Sequence, residues 1–391
     1  MSHTYILAEA GVNHNGDPKL AFELLEAAAA AGVDGIKFQT FKASSLVTET
    51  AEMADYQVAN TGKTESQHEM LSRLELGFET YTELAARAKT LGVDFLSTAF
   101  DSDSLAFLTQ NLGVNRLKIA SGELTNAPFV LEHARTHKPI ILSTGMATLA
   151  EIESALSVLA FGWSQADTAV PSAASLTSAF ADPKMQQLLQ DRVTLLHCTT
   201  EYPTPPADVN LAAMDTLRAA FHLTVGYSDH TSGNTIPTAA VARGATMIEK
   251  HFTLSREMEG PDHAASLEPN ELKDMTAAIR LVEAAIGSGI KAPCASELDI
   301  MLVARKSLVA SAAIAKGDPV WCQAAVTTHS HRRQLPTTTL AKASILRLLS
   351  VPQTLPLARS TTSVAATNFQ PRPGSPVAAP STIWPRSAMR T

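Results

Sequence analysis

Two lysines stand inside apolar runs of the sequence, where a charged side chain is unusual. If the runs around Lys37 and Lys118 are neighbouring strands, both ammonium groups would face one pocket, where they repel each other unless an anion lies between them. Ser121, Ser143 and Ser228 belong to similar runs and would add hydroxyl donors. This set indicates a ligand with a phosphate, or with a phosphate and a carboxylate. The alternative is that each lysine reaches the surface or pairs with a local acid.

Two histidines end apolar runs that follow each other in the chain, His230 the first and His251 the second. On adjacent strands their rings would meet. Two neutral imidazoles, completed by water and substrate oxygens, suit a borderline divalent ion such as Mn²⁺ or Zn²⁺. Glu9, Glu123 or Asp262 could lie near such an ion. The alternative is that one of the two is a core histidine held by a hydrogen bond.

Other residues of this kind have simpler interpretations. His197 holds a position similar to that of His230, and we expect it to support the site from behind. Cys198 has no neighbour in the sequence that would stabilise a thiolate, so a buried structural cysteine is favoured over a nucleophile. The Gly-Pro-Asp segment 260–262 is first a turn signal and only secondarily the carrier of a site carboxylate.

The elements that must position these residues are eight short apolar runs. The runs are near-continuously apolar, as expected for parallel strands buried on both faces, and helical patterns such as 18–31 lie between them. Strand–helix alternation of this kind predicts an α/β fold, a (β/α)8 TIM barrel with its active site at the C-terminal ends of the strands. An open doubly wound sheet is less favoured because no GxGxxG follows the first run. The predicted strands are 5–12, 35–41, 95–100, 116–121, 139–145, 193–199, 224–230 and 247–253.

Two stretches interrupt the alternation. Residues 42–78 are predicted to form a long loop after the second strand. Residues 160–192 are predicted to be an insert between the fifth helix and the sixth strand.

The composition bounds the class of protein. A chain of 391 residues with 45% hydrophobic and 18% charged residues can bury a sizeable core. A net charge of -7 argues against nucleic acid as a partner, because such binding relies on neutralising phosphates. No apolar run is long enough for a transmembrane helix, and the N-terminus has no basic leader. Three widely spaced cysteines fit a reducing compartment, so we expect a cytoplasmic protein.

The charge changes abruptly near the C-terminus. All 38 acidic residues lie at or before Asp318, and residues 319–391 contain eight basic residues, nine prolines and no acid. This boundary predicts three parts: a barrel over 1–285, a linker with the start of a small domain over 286–318, and a basic tail over 319–391. The tail is expected to be an out-of-frame translation or a disordered segment.

The strand-end motifs together resemble the sialic acid synthase family, over residues 5 to about 318. They occur in the family's order and each falls at a predicted strand end or in the loop after it. The motifs are AEAGVNHNG (8–16), GIKFQTF (35–41), FLSTAFD (95–101), KIASGELTN (118–126), PIILSTGMAT (139–148), LLHCTTEYPTP (195–205), GYSDHT (226–231), IEKHFT (248–253) and GPD (260–262).

The resemblance implies roles for individual residues. It implies that His230 and His251 bind Mn²⁺, with Mg²⁺ or Co²⁺ as alternatives. It implies a phosphoenolpyruvate site formed by Lys37, Thr98, Lys118, Ser121, Ser143, Thr200 and Ser228. It implies amino-sugar contacts from Glu9, Gln39, Glu123, Tyr202 and Asp262, with Asn60 as a further candidate. Among all of these, Glu123, Lys118 and Glu9 are predicted to be catalytic.

The reaction that the resemblance implies is the condensation of phosphoenolpyruvate with N-acetylmannosamine, giving N-acetylneuraminate and phosphate by C–O cleavage. The metal would polarise the sugar aldehyde, and a carboxylate such as Glu123 would stabilise the cationic carbon or orient the attacking water. One alternative is the same chemistry on 2,4-diacetamido-2,4,6-trideoxymannose, as in a legionaminic acid synthase. Another is a catalytically impaired barrel that acts only as a binding subunit.

The resemblance fails towards the C-terminus. Family members continue into a small antifreeze-like (SAF) domain, whose start is recognisable at 305–318. Its later Arg-Pro-Gly segment, which carries a sugar-contacting arginine, has no counterpart here. The family forms homodimers by exchanging these small domains, so the resemblance leaves the oligomeric state of this chain open.

Overall fold

The fold is described by a computed structural model, which covers residues 3–53, 58, 65–305, 308–310, 315–316 and 324–326. Asn60 and nearly all of the predicted tail lie outside the described residues. Eight parallel strands close into a barrel, which confirms the predicted (β/α)8 architecture. The strands are β1 (Tyr5–Gly11), β2 (Gly35–Thr40), β3 (Asp94–Ala99), β4 (Leu117–Ile119), β5 (Ile140–Ser143), β6 (Val193–His197), β7 (Thr224–Asp229) and β8 (Met247–His251).

Helices follow the strands and surround the barrel. The described α-helices are Pro18–Ala30, Ala43–Leu46, Gln67–Leu74, Phe78–Leu91, Ser102–Ala106, Ala127–Arg135, Leu149–Ser164, Ala173–Ala181, Pro183–Arg192, Ala213–Phe221, Thr235–Ala242, Pro269–Ile286 and Glu297–Ala304. A π-helical turn, Phe107–Asn111, and the 3₁₀ turns Ser121–Glu123, Pro206–Asp208 and His263–Ala265 complete the set. None of the described helices is long and apolar enough to cross a membrane.

The first helix shows how local sequence sets these boundaries. Asp17 accepts a hydrogen bond from the backbone N–H of Lys19 at 2.8 Å, and Pro18 occupies the first helical position, where its missing N–H is not needed. The helix buries one face, which includes Leu24 and Leu25, against the barrel core. It ends before Gly32, whose φ of +80° few other residues adopt readily.

The floor of the barrel is apolar and the layer above it is polar. Five inward-facing residues form the floor: Leu7, Leu96, Ile141, Leu196 and Met247. Side chains alternate between the two faces of a strand, so the residue two positions further along each strand faces inward one layer higher. Those residues are Glu9, Thr98, Ser143, Cys198 and Glu249. The alternation therefore places a polar layer directly above the floor, at the C-terminal ends of the strands.

Two expectations about the elements need correction, and the predicted insert contains more regular structure than the sequence indicated. Strand β4 stops at Ile119, because the chain turns into the 3₁₀ turn Ser121–Glu123. The stretch 42–78 is not only a loop, because it contains two helices. The stretch 160–192 is mostly helical, and its helices pack on each other.

The chain divides into two compact units, Met1–Lys291 and Ala292–Thr391. The first contains the whole barrel. Within the second, the structure describes a helix, Glu297–Ala304, and two short antiparallel strands, Leu308–Ala310 and Ala324–Val326. The last strand falls inside the predicted basic tail, 319–391.

Candidate active site

A pocket opens at the C-terminal ends of the barrel strands, where polar side chains from every strand converge. Of the predicted site residues that the structure describes, all but Glu123 line it. They are Glu9, Lys37, Gln39, Thr98, Lys118, Ser121, Ser143, Thr200, Tyr202, Ser228, His230, His251 and Asp262. The structure therefore brings together residues that are up to 253 positions apart in the sequence, as Glu9 and Asp262 are, although it does not test the role of each one.

The centre of the pocket is a pair of lysines that share one carboxylate. Lys118 Nζ lies 3.4 Å from Oε1 of Glu249, and Lys37 Nζ lies 3.9 Å from its Oε2. Lys37 also pairs with Glu9 and donates to Thr98 Oγ1 at 3.2 Å. Neither lysine reaches the surface, since their exposed fractions are 3% and 4%. Each of the two interpretations of these lysines is thus partly realised. The lysines converge on one pocket, as an anion site requires, and each also pairs with an acid.

The carboxyl groups of the pocket differ in their affinity for a proton. Burial acts to raise the pKa of Glu249, but the ammonium groups of Lys118 and Lys37 outweigh it and hold that pKa below its usual range. Burial dominates at Glu9 and raises its pKa to about 7. Burial also raises the pKa of Asp262 to about 6. Near neutral pH, Glu249 therefore holds a full charge, Asp262 is mostly ionised and Glu9 is partly protonated.

Gly11 marks where three of these side chains meet. A Cβ on Gly11 would lie 3.2 Å from Glu9 Oε1, 3.3 Å from Gln39 Nε2 and 3.7 Å from Asp262 Oδ2. Gln39 Nε2 in turn donates to Glu9 Oε1 at 3.3 Å. Two carboxyl groups and an amide thus form one cluster on the β1–β2 side of the pocket, able to bind several hydroxyl or amide groups of one ligand.

A second cluster, of hydroxyl groups, lies on the β4–β6 side. A Cβ on Gly145 would come within 2.8 Å of Ser121 Oγ and would also collide with the hydroxyl of Thr200. The backbone N–H of Gly145 donates to Ser121 Oγ at 3.0 Å, which orients that hydroxyl. Cys198 Sγ lies 3.2 Å from the same oxygen. The hydroxyl of Ser143 is buried and has no hydrogen-bond partner in the described part of the chain. An unpaired buried donor of this kind is costly unless a ligand satisfies it.

The two histidines lie side by side, with ring centroids 5.3 Å apart. Nδ1 of His230 donates to the carbonyl oxygen of Thr199 at 2.6 Å, so in the neutral ring Nε2 carries no hydrogen, and it lies 3.4 Å from Ser228 Oγ. Burial lowers the pKa of His230, and burial together with His230 holds the pKa of His251 well below its usual value. Nδ1 of His251 is buried and has no hydrogen-bond partner among the described residues. Both rings are therefore neutral at physiological pH, His230 with an unprotonated Nε2 and His251 with an unpaired Nδ1.

This donor set fits a borderline divalent ion. Neutral imidazole is a suitable ligand for such ions, and an unpaired buried nitrogen gains a partner when one binds. Among the described residues there is no group of three or more His, Cys, Asp or Glu side chains arranged to hold a metal. The protein would thus supply two nitrogens, and oxygens of substrate and solvent would complete the coordination.

Glu123 is the described site residue that the structure does not bring into the pocket. It lies in the 3₁₀ turn after β4, partly exposed, where its Oε2 accepts a hydrogen bond from Asn126 Nδ2 at 2.7 Å. Asn126 caps the helix Ala127–Arg135. The contacts of Glu123 are therefore those of a helix N-terminus, and its catalytic role stays a prediction.

The outward-facing positions of β6 to β8 have a different function. His197 Nε2 lies 2.7 Å from the carbonyl oxygen of Val209, away from the pocket. Lys250 and Asp229 form a fully buried ion pair at 2.5 Å, and Tyr227 donates to Asp229 at 2.9 Å. The Lys250–Asp229 pair joins the ends of β7 and β8 from outside the barrel, next to the two pocket histidines.

Sequence reasoning missed Glu249 as a site residue, although the signal was present. Along β8, Glu249 and His251 are two positions apart, and Lys250 lies between them. Because a strand alternates its faces, the choice of His251 as inward-facing already requires Glu249 to face inward as well. Ser228 Oγ donates to Glu249 Oε1 at 2.8 Å, which ties β7 and β8 together within the site.

The protein-family model described as the NeuB family matches residues 24–291. An N,N'-diacetyllegionaminic acid synthase of Campylobacter jejuni is 48% identical over 81% of this chain and 88% of its own length. A second protein of that name, from Legionella pneumophila, is 45% identical over 80% of this chain and 82% of its own length. The human N-acetylneuraminate-9-phosphate synthase is 31% identical over 80% of this chain and 79% of its own length.

Among solved structures, the N-acetylneuraminic acid (sialic acid) synthetase of Leptospira borgpetersenii has the same fold. It is 31% identical, with a TM-score of 0.60, and the match covers 76% of this chain and 90% of that chain. The family model matches the part of this chain that forms the barrel and its pocket. The chain therefore belongs to the NeuB family, in which its relatives are sialic acid and legionaminic acid synthases.

Proposed function

We propose that the protein condenses phosphoenolpyruvate with 2,4-diacetamido-2,4,6-trideoxymannose to give N,N'-diacetyllegionaminic acid and phosphate. The observation that carries the proposal is the pair of buried ammonium groups of Lys37 and Lys118 that share Glu249, in the strand-end pocket of a NeuB-family barrel. Family membership supports the reaction class, and the pocket chemistry supports a dianionic, phosphorylated substrate.

The choice of acceptor sugar rests on the relatives. The two proteins named N,N'-diacetyllegionaminic acid synthase are 48% and 45% identical to this chain, whereas the human N-acetylneuraminate-9-phosphate synthase is 31% identical. These values support the alternative acceptor over N-acetylmannosamine, which was the leading prediction.

The anion of phosphoenolpyruvate would bind across the middle of the pocket. Its phosphate and carboxylate would take up the excess charge of Lys37 and Lys118, and the unpaired hydroxyl of Ser143 would gain an acceptor. Ser121, held by the N–H of Gly145, would add a second hydroxyl donor. Charge-assisted hydrogen bonds of this kind are about twice as strong as neutral ones.

The bond changes follow from the substrates. C3 of phosphoenolpyruvate forms a bond to the aldehyde carbon of the open-chain sugar, which leaves positive charge at C2. Water adds to C2 and loses one proton. The bond between C2 and the phosphate oxygen then breaks as the new hydroxyl loses its proton, which releases phosphate and the 2-keto acid. Glu249, which keeps its charge next to the lysines, would stabilise the cationic carbon. The structure favours it over Glu123 because Glu123 lies outside the pocket.

We expect proton transfer to the sugar to involve the cluster of Glu9, Gln39 and Asp262 around Gly11. The pKa of Glu9 is raised to about 7, so at neutral pH this group exists in both protonation states. A general acid or base works best with a pKa near the working pH. Glu9 is therefore suited to give a proton to the sugar oxygen that was the aldehyde, and Gln39 would orient the sugar beside it.

A metal bound by His230 and His251 would supply Lewis-acid polarisation of the aldehyde oxygen. We propose Mn²⁺ for this position, with Mg²⁺ or Co²⁺ as alternatives. His230 is oriented by its hydrogen bond to Thr199, and His251 by its place in β8. The family forms homodimers, the oligomeric state of this chain stays open, and its cytoplasmic location remains a prediction.

The test is a product assay with two acceptors. The full chain is incubated with phosphoenolpyruvate, Mn²⁺ and either 2,4-diacetamido-2,4,6-trideoxymannose or N-acetylmannosamine, and products are identified by mass. The proposal expects N,N'-diacetyllegionaminic acid as the faster product, with one phosphate released per condensation. Faster formation of N-acetylneuraminate would overturn the choice of acceptor and keep the reaction class. No condensation with either sugar would overturn both.

A further inference from the structure

One side of the otherwise polar pocket is apolar. Helix Gln67–Leu74 directs Met70, Leu71 and Leu74 into it, from positions that share one helix face. Their exposed fractions are 2%, 9% and 3%, so this face is packed against protein or pocket and not against bulk water. The polar residues predicted to bind the two substrates line the other sides of the pocket, so the apolar side needs its own explanation.

These residues do not belong to the barrel core. They form a separate cluster with side chains of the stretch after β2 and with Val12, and Phe100 packs against it. Val12 and Phe100 also line the pocket. We call the five pocket-lining side chains, Met70, Leu71, Leu74, Val12 and Phe100, the apolar wall.

The helix that carries the wall is fixed at both ends. At its start, Ser66 and Glu69 form a capping box, in which each side chain accepts from the other residue's backbone N–H. At its end, Glu75 Oε2 accepts from the backbone N–H of Ala43 at 3.0 Å. The carbonyl of Arg73 lies so close to Gly16 that no side chain fits there, and Gly16 has a φ of +76°. The wall is therefore a preformed surface.

We propose that the apolar wall determines the acceptor, by contacting the methyl groups that distinguish a 6-deoxy, diacetamido sugar from N-acetylmannosamine. This inference rests on the proposed function and adds to it the residues that select the substrate. The 6-deoxy sugar has a methyl group at C6 where N-acetylmannosamine has a hydroxymethyl, and an acetamido group at C4 in place of a hydroxyl.

Two effects make an apolar surface selective for the deoxy sugar. Burying each additional methyl group is favourable by roughly 0.8 kcal/mol, about a fourfold gain in affinity. A hydroxyl placed against the wall would lose its hydrogen bonds to water without replacement. Selection by a hydrophobic surface is limited to about 10–200-fold per group, so the wall is expected to give a preference and not absolute exclusion.

The chain offers a matched pair of methionines for the test. Met70 and Met53 are both buried in the same cluster, but only Met70 lines the pocket. We would measure kcat/KM of Met70→Gln and Met53→Gln for both sugars at saturating phosphoenolpyruvate. Met70→Gln is expected to lower kcat/KM for the diacetamido sugar about tenfold relative to Met53→Gln, with N-acetylmannosamine changed by less than about twofold. Met70→Leu, which keeps the surface apolar, should restore the preference.

The outcomes separate the two proposals. A wild-type enzyme that condenses the diacetamido sugar, with Met70→Gln and Met53→Gln losing both sugars equally, would overturn the role of the wall and keep the proposed function. A wild-type enzyme that does not use the diacetamido sugar would overturn both. If Met70→Gln does not fold, Leu71→Gln at the more exposed edge of the wall is measured instead. Selective loss of the diacetamido sugar would support the role of the wall, and equal loss of both sugars would overturn it.

Discussion

The ammonium group of Lys118 lies 3.4 Å from a carboxylate oxygen of Glu249, and both side chains are almost completely buried. Lys37 approaches the other oxygen of the same carboxylate. Lys37 also pairs with Glu9, whose pKa of about 7 leaves it partly protonated at neutral pH. Burying charges costs several kcal/mol per ion unless each is paired, so Glu249 and Glu9 neutralise the two lysines only incompletely. A substrate anion would complete their pairing.

Replacing Glu249 by Gln removes the negative charge between the lysines. We expect the free energy of unfolding to fall by about 3–5 kcal/mol, because breaking a buried pair leaves uncompensated charge. Inorganic phosphate should then raise the Tm of Glu249→Gln more than that of the wild type, since the anion replaces the missing carboxylate. Thermal unfolding with and without phosphate measures this. Equal phosphate shifts in the two proteins would show that the lysines do not form an anion site.

Replacing Lys118 by Met should weaken phosphoenolpyruvate binding. Removing one partner of a buried, hydrogen-bonded charge pair costs about 2–5 kcal/mol, and the loss should appear in KM for phosphoenolpyruvate more than in KM for the sugar. Lys89→Met, at an exposed position of helix Phe78–Leu91, is the control and should leave both values unchanged. Unchanged KM and kcat in Lys118→Met would remove this lysine from the site.

The pKa of Glu9 predicts a pH-dependent stability difference. Its pKa in the folded protein is about 7, above the ordinary value of 4.5, so between these pH values the folded state holds a proton that the unfolded state has released. Stability from this group is therefore lost as pH rises from about 4.5 to about 7. The wild type should lose up to roughly 3 kcal/mol relative to Glu9→Gln over that range.

Urea unfolding at several pH values measures this difference. Glu23→Gln, at an exposed position of helix Pro18–Ala30, is the control and should show no such trend. A difference between wild type and Glu9→Gln that stays constant with pH would mean that burial does not raise this pKa.

Metal binding should depend on both pocket histidines. His230→Ala and His251→Ala should each lose Mn²⁺ binding, measured by electron paramagnetic resonance of the free ion, while circular dichroism shows an intact fold. His197→Ala is the control, because its ring is bonded to the carbonyl of Val209 outside the pocket. Chelator treatment of the wild type should abolish condensation and leave the Tm almost unchanged. Mn²⁺ binding that survives in either pocket variant contradicts the metal assignment.

The sequence predicted the barrel and most of the pocket for a physical reason. Parallel strands buried on both faces appear as continuous apolar runs, and all their C-terminal ends meet at one rim. Lys37 and Lys118 stood out because a charge inside such a run must have a partner. Glu249 is also a charge inside an apolar run, but it could be assigned to the site only by working out which face of β8 points inward.

Other features could not be predicted in this way. Glu123 lies where β4 stops early and the chain turns, and its direction depends on backbone angles that periodicity does not encode. The helix Gln67–Leu74 was predicted as loop because its apolar face spans only two turns, although the capping box at Ser66 and Glu69 was a readable signal. The apolar wall could be recognised only once the fold had placed this helix beside the pocket.

The central claim is a condensation in which the C–O bond of phosphoenolpyruvate breaks. It is tested most directly with phosphoenolpyruvate that carries ¹⁸O in the bridge between C2 and phosphorus, together with 2,4-diacetamido-2,4,6-trideoxymannose and Mn²⁺. The account predicts that mass spectrometry finds the label in the released phosphate and an unlabelled N,N'-diacetyllegionaminic acid. Label retained in the keto acid, or phosphoenolpyruvate left unconsumed in the presence of the sugar, would contradict it.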